Sequence, residues 1–372
     1  MPAAPTPKGT PVTTNAIHET SADDLSQRLF GATVGAMDMF TVYIGDRLGY
    51  YRSLADYGPQ SSAELAAHAG TEERYTREWL EQQAITGILG VDDVSAPAAE
   101  RRYSISPGHD EALTEELSLA YIAPFVKMIA AAGMQVPRIV EAHRNGGGVS
   151  WAQYGIDMRQ AQGDMNRPFF ANLLGTEWFA AVPDLHARLS GGARVADIGA
   201  GHGWSAIALA HAYPGITIDG YDVDEPSVET ANANAAAESV SDRARFHLVD
   251  AAEPPTDSRY DVVTAFECIH DLPQPVDVLA TMRTLAGDDG MVVVMDEKVA
   301  DAFGAVGNEL ERVMYGFSNL ICLPDGMSHP GSVGTGTVMR HEKLADYARQ
   351  AGFSAIEVLP IEADMWRFYR LV

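Results

Sequence analysis

Lysine is almost missing from this chain. Only Lys8, Lys127, Lys298 and Lys343 stand among 26 basic residues, against 51 acidic ones, and the net charge is −25. A surface so acidic repels phosphate backbones and anionic headgroups, which sets nucleic acid and membranes aside as partners. Cysteine is scarcer still: Cys268 and Cys322 are too few for a disulfide framework or a zinc ribbon. No run of eighteen apolar residues occurs, so no helical membrane span is expected. The first twenty residues carry neither a basic start nor an apolar stretch, unlike a secretory signal. These scarcities together give a cytoplasmic location as the expectation. Residues 1–22, rich in Pro, Thr and Ala, read as a flexible tail.

What remains is ordinary globular material: 372 residues, 46% hydrophobic and 21% charged, enough for two or three domains. Residues 23–117 read as helices followed by one strand pair. SSAELAAHAG starts on hydroxyl caps and stops at Gly70. TEERYTREWLEQQAITGILG is an amphipathic helix with Tyr75, Trp79, Gln82 or Gln83, and Ile85 or Thr86 at helical spacing. ILGVDDV and RYSISP follow as short strands. That outline is a winged helix. Seven Arg and no Lys against seventeen Asp and Glu in this stretch argue against DNA binding, because a recognition helix needs cations for phosphate. A dimerisation or capping role fits better. Residues 118–184 read as a helical linker and pocket lid, interrupted at Asn145-Gly-Gly-Gly148.

From residue 185 to 372 short strands alternate with helices, which predicts a parallel sheet wound on both faces, an α/β fold. Five or six parallel strands precede a last pair, SAIEVLP and MWRFYRLV. That pair is too close in sequence to be parallel, so it forms an antiparallel hairpin.

The segment Val195-Ala-Asp197-Ile-Gly199-Ala-Gly201-His-Gly203-Trp204 leaves a strand and enters a helix, where doubly wound sheets bind ligands. Its glycines let backbone approach a ligand closely. The spacing is not that of a dinucleotide fingerprint, since Trp204 stands where the third Gly belongs. Asp197 would also repel a pyrophosphate, but suits a ligand with ammonium or sulfonium charge. S-adenosylmethionine meets that description better than NAD. Asp222 ends the next strand and can accept the ribose hydroxyls; Asp224 is an alternate. Asp250 ends the third strand, placed for the adenine amino group with the Ala251 amide nearby. Val223 and Phe266 complete the candidate cofactor set.

DIGAGHG at 197–203, YDVD at 221–224, VDAA at 249–252 and the terminal hairpin together resemble the class I S-adenosylmethionine-dependent methyltransferases. More narrowly, NRPFFANLLGTEW (166–178), AFECIHDL (265–272), MYGFSNLICLP (314–324) and DMWRFYRL (364–371) are similar to bacterial methyltransferases with an N-terminal winged-helix domain. The resemblance implies a Rossmann-like seven-stranded sheet, a small-molecule acceptor, and a homodimer whose winged helix closes the substrate pocket.

In small-molecule O-methyltransferases of similar architecture, a His before Asp or Asn at the position of His270 is the general base. The chemistry is independent of that likeness: a sulfonium methyl is already activated, so the enzyme needs in-line positioning and a deprotonated nucleophile. Asp271 and Glu267 join His270 in the candidate catalytic set, and Glu267, Asp271, Asp296 or Glu297 would orient the imidazole. An alternative is a metal-assisted C-methyltransferase of a 2-oxo acid, its metal held by His270, Asp271 and His329. A third reading is a cofactor-sensing regulator. Tyr154, Asn166, Phe169, Phe170, Met314, Tyr315, Phe317 and Ser318 are the candidate acceptor-binding residues, roofing a partly aromatic site.

Overall fold

The computed structural model describes residues 21–252, 259–304 and 307–372. The expected tail lies outside them except for its last two residues. Ser21 there caps a helix, with a reciprocal Ser21–Asp24 capping box.

Four helices open the fold: α1 (Ala22–Arg47), α2 (Tyr50–Tyr57), α3 (Ser62–Ala69) and α4 (Glu73–Ile85). α3 is capped by Ser61 and ends at left-handed Gly70. In α4 the buried residues are Thr76, Trp79, Leu80 and Gln83. The expected face is thus shifted by about one residue, and Tyr75 and Ile85 are exposed. Trp79 sets the face: it packs on Tyr50 and Tyr51 and donates its Nε1–H to Thr41 O. The antiparallel pair β1 (Leu89–Val91) and β2 (Tyr103–Ile105) completes the wing.

Helices α5 (His109–Thr114), α6 (Ala123–Gly133), α7 (Val136–Asn145) and α8 (Trp151–Phe169) follow, and a π-helical stretch, Phe170–Trp178, leads to α9 (Pro183–Ser190). Gly146 ends α7, as the glycine run predicts. α6 and α8 bury Met128, Tyr154, Met158 and Met165 against Met314, Phe317 and Ile321.

The remaining chain alternates β3 (Arg194–Ile198), α10 (Trp204–Ala212), β4 (Thr217–Asp222), α11 (Glu225–Ala237), β5 (Ala244–Leu248), β6 (Val262–Phe266), α12 (Pro275–Ala286) and β7 (Met291–Glu297). Then come α13 (Glu309–Phe317), α14 (Leu323–Met327), α15 (His341–Gln350), β8 (Ile356–Val358) and β9 (Trp366–Leu371). The seven-stranded sheet runs β5-β4-β3-β6-β7-β9-β8, with β5 to β7 parallel and the last pair antiparallel, as the spacing of the terminal strands requires.

Successive strand residues point to opposite faces. Val195, Val262 and Val293 enter one apolar cluster; Ala196, Val263 and Val294 enter the other. Both faces are therefore buried, the condition of a parallel sheet. The strand order reverses at β3, whose neighbours are β4 and β6. The loops after β3 and β6 consequently lie side by side at the carboxyl edge, where ligands bind in such sheets. No helix among the described residues is long and apolar enough to cross a membrane.

Candidate active site

The loop after β3 turns on Gly199, Gly201 and Gly203, with φ of 69°, 51° and 80°. L-residues with side chains seldom adopt that region. A Cβ at Gly199 would lie 2.8 Å from Cys268 Sγ, and one at Gly203 would lie 2.5 Å from Phe246, so both faces are taken by protein. Gly201 differs: a Cβ there would meet nothing within 4 Å. This glycine opens the loop onto free space beside the sheet tips.

Around that opening stand the acids at successive strand ends. Asp222 Oδ2 accepts the Gly201 N–H at 2.8 Å, and Oδ1 accepts the Asp224 N–H at 2.9 Å. Burial raises the Asp222 carboxyl above its usual range, and those amides partly offset the rise. Asp250 is exposed and accepts the Ala252 N–H. Val223 between them is 66% exposed and offers an apolar face. Carboxylates for hydroxyl and amino groups, an apolar surface and an open glycine turn fit a purine nucleoside.

Asp197 behaves otherwise. It is 1% exposed, Oδ2 accepts from Ser205 Oγ at 2.5 Å, and Oδ1 accepts from Thr264 Oγ1 at 2.8 Å. Burial pushes its carboxyl up to about 6 against those hydroxyls. Both oxygens are engaged, so Asp197 fastens β3 to β6 and to the start of α10. Phe266 is also turned inward, packed on Phe170 and Phe179. Ala251 is buried in the apolar cluster under the sheet edge.

The loop after β6 carries the titratable groups. His270 is 3% exposed, at the centre of three carboxylates. Its Nδ1 is 2.9 Å from Asp296 Oδ1 and 3.1 Å from Glu297 Oε2, while Nε2 is 3.3 Å from Asp271 Oδ1. Burial opposes the imidazolium, but Asp271, Glu297 and Asp296 outweigh it and hold His270 well above its usual range. Burial likewise pushes Glu297 up to about 8. Three acids and one base crowd this cluster, so some carboxyls keep their protons.

Glu267 stands at the strand tip with φ of 49°, one of two non-glycine residues at positive φ among the described residues. Such a conformation costs on the order of 1 kcal/mol. Its carboxylate accepts from Asn166 Nδ2 on α8 and from Trp366 Nε1 on β9. Burial raises it to about 7, with Glu297 adding to the rise. Glu267 therefore ties three distant segments together beside the glycine loop.

Of the candidate acceptor residues, Tyr154, Phe170, Met314 and Phe317 are packing residues, and Tyr154 donates its O–H to Leu320 O. Phe169 is half-buried against Trp366, Ser318 is buried beside Gly336, and Tyr315 is 38% exposed. The metal set proposed from sequence is corrected. His329 is exposed on the loop after α14, and the group that gathers with His270 and Asp271 is Cys322, their ligand atoms within 4.8 Å of one another. Sequence reasoning missed Trp366, Cys322, Arg159 and Asp325. Cys322 and Trp366 lie inside the quoted motifs without a role of their own, and Arg159 left a trace in its four-residue spacing from Gly163 and Arg167.

A family model described as "Methyltransferase domain" matches residues 170–358, slightly over half of the chain. The chain belongs to this methyltransferase family. A second model, an Rv2258c-like winged HTH domain, matches residues 36–115. The chain is 32% identical over 126 residues to a 27-O-demethylrifamycin SV methyltransferase of Amycolatopsis mediterranei, covering 34% of this chain and 46% of that protein. It thus spans under half the length of this curated relative. An O-methyltransferase family protein from Burkholderia thailandensis shares the fold at a TM-score of 0.68 and 16% identity, covering 95% of this chain and 98% of that one. Human N-acetylserotonin methyltransferase, solved with SAM, does so at 0.65 and 17%, covering 95% and 99%.

Proposed function

We propose that this methyltransferase transfers its methyl group to a hydroxyl of a small molecule, with His270 moving the acceptor's proton. When bound, S-adenosylmethionine supplies an electrophilic methyl on a sulfonium whose leaving group is a neutral thioether. Asp222, Val223 and Asp250 hold the nucleoside, and Gly199 to Gly203 give it backbone contact. The observation that carries the reading is the His270 cluster beside that loop. Cys268, in the same turn, donates its S–H to Ile198 O at the base of the glycine loop. Asp296 fixes the Nδ1 side of the ring. His270 rests charged among these carboxylates; once its Nε2 proton has left for the cluster, the neutral ring accepts from a hydroxyl at Nε2. Asp271, at the more open edge of the cluster, receives the proton next. The O-methyltransferase names among the relatives support the acceptor class.

We divide the chain into a winged-helix region, 23–117, that mediates homodimerisation, a lid, 118–184, and the methyltransferase domain, 185–372. The acidic winged helix argues for a dimer surface over DNA. α1 supports this: Leu25, Leu29, Phe30, Val34, Met37 and Phe40 are all exposed on one helix.

The test is methyl transfer from labelled S-adenosylmethionine to a panel of phenols, hydroxy acids and 2-oxo acids. A hydroxyl acceptor is expected. His270→Asn should then lose on the order of 10²-fold in turnover while keeping S-adenosylhomocysteine affinity. Near-normal turnover in that variant would remove His270 from the reaction.

A further inference from the structure

Helix α8 presents Arg159, Gly163 and Arg167 at four-residue intervals, which places them on one face. Two meet the glycine loop or the residue after it, and Arg159 meets Asp224 just past the end of β4. Arg159 Nε and Nη2 donate to the two oxygens of Asp224 at 2.7 and 2.8 Å, with both side chains mostly buried. Gly163 lies against the His202 ring so closely that a Cβ would collide with Nδ1 and Cγ. The Arg167 guanidinium lies 4.0 Å over the Trp204 ring. One helix face therefore covers the glycine loop and the end of β4. Asp222 is two residues from the clamped Asp224.

One turn before Arg159 the helix is broken. Gly155 has φ 81° and ψ −168°, a backbone essentially restricted to glycine, and a Cβ there would meet nothing within 4 Å. Before the break, the Trp151 N–H is held by Asp325 Oδ1 at 2.7 Å. After it, Asp157 accepts from Tyr43 at 2.5 Å and pairs with Arg47 at 3.4 Å, both on α1. The part after Gly155 is thus fastened to the N-terminal region at its start and to Glu267 through Asn166 at its end, while the part before is fastened to α14.

We infer that the stretch from Arg159 to Arg167 is the moving wall of the cofactor site, hinged at Gly155 and latched by Arg159 on Asp224. The inference rests on the cofactor reading of the glycine loop. A nucleoside held by Asp222 and the loop is covered on this side by α8, so entry and release require Arg159 to leave Asp224. The same stretch also donates from Asn166 to Glu267 and pairs Arg167 with Glu116 at 2.9 Å, but the bidentate Arg159–Asp224 pair is the most buried of its ion pairs and the one beside Asp222, which makes it the latch. Because Asp157 ties the wall to α1, opening moves the N-terminal region with it.

Stopped-flow tryptophan fluorescence with S-adenosylhomocysteine tests this, with affinity checked by calorimetry. Arg159→Ala should speed release about tenfold, the loss of one charge-assisted bidentate pair. Arg159→Lys, which keeps charge but loses the planar fork, should fall between the two and serves if the alanine variant folds poorly. Hydrogen exchange in residues 156–167 should slow when S-adenosylhomocysteine binds the unaltered protein. Release within about twofold of the unaltered protein in both variants, or exchange unchanged by ligand, overturns the latch. If the unaltered protein binds no S-adenosylhomocysteine, the cofactor reading falls, and the latch with it.

Discussion

His270 and Asp296 meet across two strand tips, Nδ1 to Oδ1 at 2.9 Å, with both residues almost wholly buried. The contact exists because β6 and β7 are parallel neighbours in register, Phe266 opposite Met295. It fixes which nitrogen of the ring faces the protein. Asp296→Asn is therefore expected to lower turnover by on the order of 10²-fold or more, through loss of ring orientation and of imidazolium stabilisation. Single-turnover methyl transfer measures it. An unchanged rate would mean that Asp296 only packs.

The same cluster makes stability depend on pH. Burial raises Glu297 to about 8 and Glu267 to about 7, while the unfolded chain releases both protons in the ordinary glutamate range. Across the window between, the folded protein holds protons the unfolded chain has lost. Stability therefore falls as pH rises from about 5 towards 8. His270, held above its usual range, acts in the same direction. Glu297→Gln should melt close to the unaltered protein near pH 5 and gain on it up to about pH 8. Melting curves that stay parallel across this range would contradict the assignment.

In the proposed cofactor site Asp222 takes the nucleoside hydroxyls, since Asp197 is held by the hydroxyls of Ser205 and Thr264. Asp222→Asn is expected to weaken S-adenosylhomocysteine binding roughly 10- to 100-fold, in keeping with hydrogen bonds to a charged group. Calorimetry decides it. Equal affinity in the variant would move the ribose site elsewhere.

The exposed apolar face of α1 gives a separate expectation. Leu29 and Phe30 are 55% and 71% exposed on a helix that a lone chain would leave wet. Replacing Leu29 and Phe30 by Asp should turn a dimer into a monomer without changing the helical spectrum, as read by sedimentation and circular dichroism. A monomer before substitution would refute the dimer outright.

Much of the architecture was written in local pattern. Strand–helix alternation, the glycines at 199, 201 and 203, the cap at Ser61 and the closeness of the last two strands are short-range features, and short-range sterics and hydrogen bonding dictate them. The acids at strand tips were legible for the same reason. What each of them meets was not: Asp197 is held by side-chain hydroxyls of Ser205 and Thr264, whereas Asp222 accepts backbone amides of Gly201 and Asp224. The buried face of α4 slipped because Trp79 chose its partners from α2. Glu267 bridging Asn166 and Trp366, and Arg159 clamping Asp224, join residues between 65 and 101 positions apart. Spacing along a chain determines what a segment becomes. Which charges meet, and which protons they keep, is decided only when the sheet orders its strands and burial strips the water away.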